Sequence, residues 1–152
     1  MRIDRFNIRV YGLLVYRGRV LVSDEVIRGK RITKFPGGGL EFGEGTRDCL
    51  VREVREEMGV EATGLRHFYT TDFFQASAYR EGDQLVSVYY SFRVEAPERL
   101  PVGDVPFGQG DADAEWFRWA GLATARPEDL SLPVDQVVMR MLLKECPPNL
   151  PT

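Results

Sequence analysis

The sequence predicts an α+β fold, with a mixed β-sheet and helices packed against it. The order of pattern segments reads strand, strand, strand, helix, strands, helix. Apolar residues make up 43% of the 152 positions and aromatic residues 11%, enough to bury one sizeable core, so residues 1–152 are expected to form a single domain. No repeat of solenoid length and no low-complexity tract argues for another architecture.

Each element has a local reason. From Asn7 to Ser23, NIRVYGLLVYRGRVLVS gives two β-rich runs around Arg17-Gly18, a hairpin pattern. DEVIRGKR reads as a charged loop, and ITKF after it as a short strand ended by Pro36 and the glycines. A helix is expected from Thr46 to Met58, stopped by Gly59. Two further strands fall in LRHFYTTDFF and LVSVYYSFRVE, with a turn over Arg80-Glu81-Gly82-Asp83. APERLPVGDVPFGQGDADA reads as a long surface loop and EWFRW as a strand. Pro133 opens a second helix with Val134, Val137, Val138, Met141 and Leu142 on one stripe.

Charge and composition exclude several classes. A net charge of −3 and a pI near 5.3 leave no basic stripe for a long nucleic acid. No apolar run approaches the ~20 residues of a membrane span. Two cysteines, Cys49 and Cys146, are too few for a disulfide scaffold, and MRIDRFNIRV lacks a secretory apolar run, so a cytoplasmic setting is expected. The oligomeric state stays open, a homodimer included.

The stretch REVREEMG places Glu53, Glu56 and Glu57 within one and a half helical turns. At ~6 Å and an effective dielectric of ~20, two carboxylates repel by roughly 3 kcal/mol, less where water screens them. With Leu50 at zero, Val54, Met58 and Val51 fall at roughly 40°, 80° and 100°, while Glu57, Glu53 and Glu56 fall at roughly 340°, 300° and 240°. The apolar and acidic stripes therefore lie side by side. Arg52 and Arg55, at roughly 200° and 140°, fall mostly behind the acids and are not expected to neutralise them all. Alone, such a helix would read as a solvated charged face with an Arg52–Glu56 pair. Upstream, FPGGGLEFGEGT adds three consecutive glycines, which let backbone approach a ligand, and a further acid, Glu44.

Together Gly38, Glu44, Arg52, Glu53, Val54, Glu56, Glu57, Gly59 and Val60 satisfy G-x5-E-x7-R-E-U-x-E-E-x-G-U, where U is aliphatic. Here the sequence resembles the Nudix hydrolase family, closely over Gly38 to Val60 and in outline over the surrounding elements. The resemblance implies a Nudix-type α-β-α sandwich. It also implies hydrolysis of a nucleoside diphosphate linked to another group, with Mg²⁺ or Mn²⁺ and water attacking phosphorus in line. Hard divalent cations choose carboxylate and carbonyl oxygens, which agrees with the acid stripe.

By that resemblance Glu53, Glu56 and Glu57 are metal ligands, Glu44 supports them, and Arg52 orients them. The Gly37 carbonyl is a further ligand, and Gly37, Gly38 and Gly39 approach the substrate. Some members place an extra acid downstream, for which Asp111, Asp113 and Glu115 are the candidates. His67 and Cys49 read as packing or surface residues rather than chemistry. Markers of ADP-ribose, NADH and dinucleoside polyphosphate enzymes are absent after Val60, which favours a nucleoside triphosphate or a related small nucleotide. The alternatives are hydrolysis of ADP-ribose or a nucleotide sugar, and a nucleotide-binding regulator without turnover. An RNA-directed activity is disfavoured by the lack of a basic patch. Phe73, Phe74, Tyr89, Tyr90 and Phe92 are candidates for stacking a base, with sheet packing as the commoner use of strand aromatics.

Overall fold

A computed structural model describes residues 2–107 and 115–145. In chain order the strands are β1 (Arg5–Leu13), β2 (Val15–Tyr16), β3 (Arg19–Ile27), β4 (Lys30–Lys34) and β5 (Gly37–Gly39), followed by the helix α1 (Thr46–Met58). Then come β6 (Thr63–Thr70), β7 (Asp83–Arg93), β8 (Glu115–Gly121) and α2 (Pro133–Glu145). The chain divides into two compact units, Met1–Gly12 with Gly37–Val94, and Leu13–Pro36 with Glu95–Thr152.

The first unit holds a sheet in the order β5-β1-β7-β6 and the helix α1. The β6–β7 ladder is antiparallel, with register shifts at Thr63/Arg66 and His67/Tyr69. Helix α1 begins where the Asp48 carboxylate accepts a hydrogen bond from the Gly45 N–H at 2.9 Å, and it ends at Gly59, whose positive φ of 69° closes the last turn onto the Arg55 carbonyl. Its buried residues are Cys49, Leu50, Val54 and Met58. Leu50, Val54 and Met58 are on the stripe that periodicity picks out, whereas Val51 of that stripe is only partly covered and Cys49, expected on the acid side, is buried. Tyr89, Tyr90 and Phe92 are buried sheet residues, whereas Phe73 and Phe74 stand exposed after β6. Fully burying a Leu or Val of this kind stabilises by roughly 1.5–3 kcal/mol.

The second unit holds β2-β3-β4, with β8 on the other edge of β3, and α2. The Arg17-Gly18 turn is present, with φ of 50° and 73° matching a two-residue hairpin, but it joins the short β2 to β3. The segment DEVIRGKR, expected as a loop, is a second hairpin: β3 runs to Ile27, Arg28-Gly29 turns with φ of 50° and 79°, and β4 returns. Helix α2 starts at Pro133 as expected, yet its buried stripe is Val134, Asp135, Val138, Met139 and Leu142. Val137 and Met141 are only partly covered, so the packed face is rotated from the one periodicity picks out.

Alternation along β3, β4 and β8 sorts the polar residues of this sheet. Asp24, opposite Thr33, shares a face with Arg118. Ser23, opposite both Lys34 and Phe117, shares the other face with Glu25, which stands opposite Glu115.

Candidate metal-binding acidic site

Strand β5 is built from glycine, a residue of low strand propensity, and at Gly37 and Gly38 its surroundings leave no room for anything larger. Gly37, Gly38 and Gly39 stand opposite Tyr11, Val10 and Arg9 of β1. Gly37 has φ of 148°, and a Cβ there would collide with the Val10 carbonyl. A Cβ on Gly38 would overlap the Glu53 carboxylate. The glycine strand is thus the surface against which Glu53 is seated.

Arg52 is the hub of the acidic helix. Its Nε and Nη2 donate to the two oxygens of Glu44 at 2.9 and 2.7 Å, a bidentate pair. Nη1 donates to Glu53 at 3.0 Å and to Glu56 at 3.3 Å, and lies 3.6 Å from Glu41. Nη2 also donates to the Gly39 carbonyl at 3.0 Å. This corrects the helical-wheel expectation: the long arginine side chain curls back among the acids instead of remaining behind them. The bidentate bond from Arg52, helped by the backbone N–H of Glu41, holds the Glu44 carboxyl down at about 2. The same bond raises the Arg52 guanidinium above its ordinary value. Glu41, which the sequence reading did not single out, joins the cluster through its place two residues beyond Gly39.

Glu53 and Glu44 keep only 14% of their side chains exposed, whereas Glu56 keeps 59%. Glu57 is half-buried, with its Oε2 atom fully covered. The donors on this face are oxygens alone, the set a hard divalent cation prefers. As arranged here, no three His, Cys, Asp or Glu side chains converge on a metal-sized site among the described residues. Arg52 supplies the positive charge facing Glu53 and Glu56. Cys49 is buried, its thiol pushed up to about 12 by burial and by the charge of Glu44, and its Sγ lies 3.5 Å from the Gly39 carbonyl. It packs, as expected.

Asp111 and Asp113 lie outside the described residues. Glu115 opens β8 in the second unit, 3.8 Å from Lys34, and burial raises its carboxyl above the ordinary range. His67 is exposed on β6, with Nε2 2.8 Å from Thr70 Oγ1 and its ring edge-on to Tyr90. Arg9, also unmarked by the sequence reading, lays its guanidinium 5.8 Å from the centre of the Tyr11 ring and donates to the Tyr11 hydroxyl at 3.2 Å.

The comparisons with known proteins agree with this fold and motif. The NUDIX domain profile matches residues 6–140, and the chain belongs to the Nudix family. It is 32% identical over 92 residues to a protein of Enterobacter sp. (strain 638) named nucleoside triphosphatase NudI, a match covering 58% of this chain and 62% of that one. It is likewise 32% identical over 89 residues to the 8-oxo-dGTP diphosphatase of Escherichia coli (strain K12), over 59% of this chain and 60% of that one. The matches thus span about three fifths of these relatives.

A Nudix hydrolase structure from Nitrosomonas europaea superposes with a TM-score of 0.69 at 19% identity, over 93% of this chain and 91% of that one. A MutT structure described for Aliivibrio salmonicida and Vibrio cholerae gives 0.65 at 18% identity, over 93% and 99%. At these identities the likeness concerns fold, and it places the chain in the α+β class with the mixed sheet of Nudix structures. No helix among the described residues is long and apolar enough to cross a membrane.

Proposed function

We propose that the protein is a metal-dependent pyrophosphohydrolase acting on a nucleoside triphosphate or a related small nucleotide. The observation that carries this reading is the seating of Glu53 on Gly38 while Arg52 bonds Glu44, Glu53, Glu56 and the Gly39 carbonyl. The local structure thereby holds more carboxylates together than one arginine can neutralise. The named activities of the two relatives support a triphosphate substrate over ADP-ribose or a nucleotide sugar.

In this reading Glu53, Glu56 and Glu57, with the Gly37 carbonyl, would hold the divalent ions that the family generally uses. Bound Mg²⁺ or Mn²⁺ would offset the charge of the diphosphate and make a coordinated water more acidic. Arg52 keeps Glu53 and Glu56 in position through charge-assisted bonds, and Glu44 fixes Arg52 in turn. The glycine strand leaves the carboxylate of Glu53 unobstructed by any side chain of its own.

The test is phosphate and pyrophosphate release from a panel of nucleotides with Mg²⁺. Hydrolysis is expected for at least one triphosphate, and Glu56→Gln or Glu57→Gln, folded by circular dichroism, should abolish most of it. Independently of turnover, millimolar Mg²⁺ or Mn²⁺ should raise the melting temperature, because a ligand held only by the folded state stabilises it by mass action. Tight nucleotide binding with no release under any metal or pH would support a regulatory module instead.

A further inference from the structure

The second unit contains a cavity of about 370 Å³, and every residue lining it belongs to that unit. Cavities of roughly 150 Å³ already accept a molecule the size of benzene, so this one has room for a small organic ligand. Val22, Leu130 and Met139 contribute aliphatic wall, and Thr124 and Asp129, both exposed residues, bring polar groups to it. Arg118 is the one cation among the lining residues. It stands opposite Val22 in the β3–β8 ladder, so the two side chains share a face of the sheet.

The guanidinium of Arg118 is used along one edge only. Its Nε and Nη2 donate to the two oxygens of the fully buried Asp24 at 2.6 and 3.3 Å. Its Nη1 donates to none of the described residues, and it is not a fully covered atom. Arg52 of the first unit shows the same group in full use: Nε and Nη2 take one carboxylate, Glu44, while Nη1 takes those of Glu53 and Glu56. Arg118 has the first carboxylate and, among the described residues, lacks the second. Asp129 does not supply it, because its Oδ2 accepts the Arg126 N–H at 2.9 Å and its Oδ1 lies 3.6 Å from Arg126 Nη2. A phosphate dianion would find a single guanidinium, already shared with Asp24, and would face Asp129. A planar monoanion with two parallel acceptors matches the remaining Nη1–Nη2 edge.

We propose that this cavity is a binding site for a small organic carboxylate, held by the free edge of Arg118. The carboxylate accepts from Nη1 and from the second N–H of Nη2, and the organic body lies against Val22, Leu130 and Met139. Asp24 acts as the positioning group. It is itself fixed by Thr33 Oγ1 at 2.7 Å and the Phe107 N–H at 3.1 Å, so the guanidinium it holds is aimed before a ligand arrives. The site goes beyond the hydrolytic reading and does not depend on it.

The test titrates the full chain with sodium benzoate, its neutral analogue benzamide, sodium acetate and inorganic phosphate at matched ionic strength. The readouts are the melting temperature and the NMR shifts of the Met139 methyl group and the Arg118 Nε–H. Benzoate should raise the melting temperature by a few degrees at about tenfold excess over its dissociation constant, and should move both resonances. Benzamide lacks the second acceptor, acetate lacks the body and phosphate is mismatched in charge, so each should bind about 10-fold or more weakly. Arg118→Lys keeps the charge without the fork and should weaken benzoate by a similar factor. Ala125→Phe, which fills the cavity and leaves the Asp24 pair alone, should do the same and decides the matter if Arg118→Lys does not fold. No benzoate binding, any of the other three probes matching it, or parental benzoate affinity in a folded variant would overturn the site.

Discussion

Two charged clusters in this chain are inverse arrangements of one chemistry. In the second unit a single buried carboxylate, Asp24, is surrounded by donors: Thr33 Oγ1 at 2.7 Å, the Phe107 N–H at 3.1 Å, and Arg118 Nε and Nη2 at 2.6 and 3.3 Å. In the first unit a single guanidinium, Arg52, is surrounded by the carboxylates of Glu41, Glu44, Glu53 and Glu56. The Asp24 cluster is balanced and its bonds are made, so its contribution is to stability. The Arg52 cluster carries surplus negative charge that folding alone does not reward, a surplus that the proposed divalent cation would offset.

Asp24→Asn should separate the two most sharply. Removing one partner of a buried ion pair costs about 3–5 kcal/mol, nearer the lower figure because Arg118 keeps 20% of its side chain in water. Denaturant melts should show that loss, whereas turnover per folded molecule should change little. A strong fall in turnover with unchanged stability would reverse the roles given to the two clusters.

Glu57→Gln should do the opposite. If Glu57 is the metal ligand proposed above, its loss should lower turnover by ~100-fold or more, since supporting contacts alone cost about 10–100-fold. Without metal the variant should melt close to the parent, because the amide is isosteric with the carboxyl and relieves one of the neighbouring negative charges. A clear drop in metal-free melting temperature would mean that Glu57 serves the fold.

Gly38→Ala is expected to have a smaller effect, roughly 10-fold in activity, of the order seen for a disturbed supporting contact. The added methyl group must push the Glu53 carboxylate aside. The change should show as a weaker apparent affinity for Mg²⁺ in activity titrations, and parental metal affinity would remove the role given to the glycine strand.

The smallest effect concerns acid. Arg52 holds Glu44 at about 2 in the folded chain, below its ordinary value of 4.5. The stability this bond adds is therefore fully present above about pH 4.5 and is lost as pH falls through about 2. Thermal melts at stepped pH should show a shallower acid decline in Glu44→Gln than in the parent; identical slopes would show that the Arg52 bond is not what the acid limb reports.

Much of the acidic site was legible along the chain because helices are local. The spacing of Leu50, Val54 and Met58 against Glu53, Glu56 and Glu57 defines two faces of α1 without knowledge of any partner, and Gly59 ends the helix as its position suggests. Strand β5 was hidden because three glycines have low strand propensity; they pair only because β1 presents Arg9, Val10 and Tyr11 to them. The hairpin over Arg28-Gly29 was masked by charge, and the rotated stripe of α2 reflects packing that favours Met139 over Val137 and Met141.

The sequence by itself determined the helix faces, the glycine run, the acid spacing and the family motif, since each depends on neighbours within a few residues. Only the tertiary structure decided that Arg52 lies among the acids, that Gly38 seats Glu53, and that Lys34 stands between Glu25 and Glu115. Those outcomes depend on side-chain reach and strand register across long separations, and a register moved by one residue would turn every such group to the opposite face.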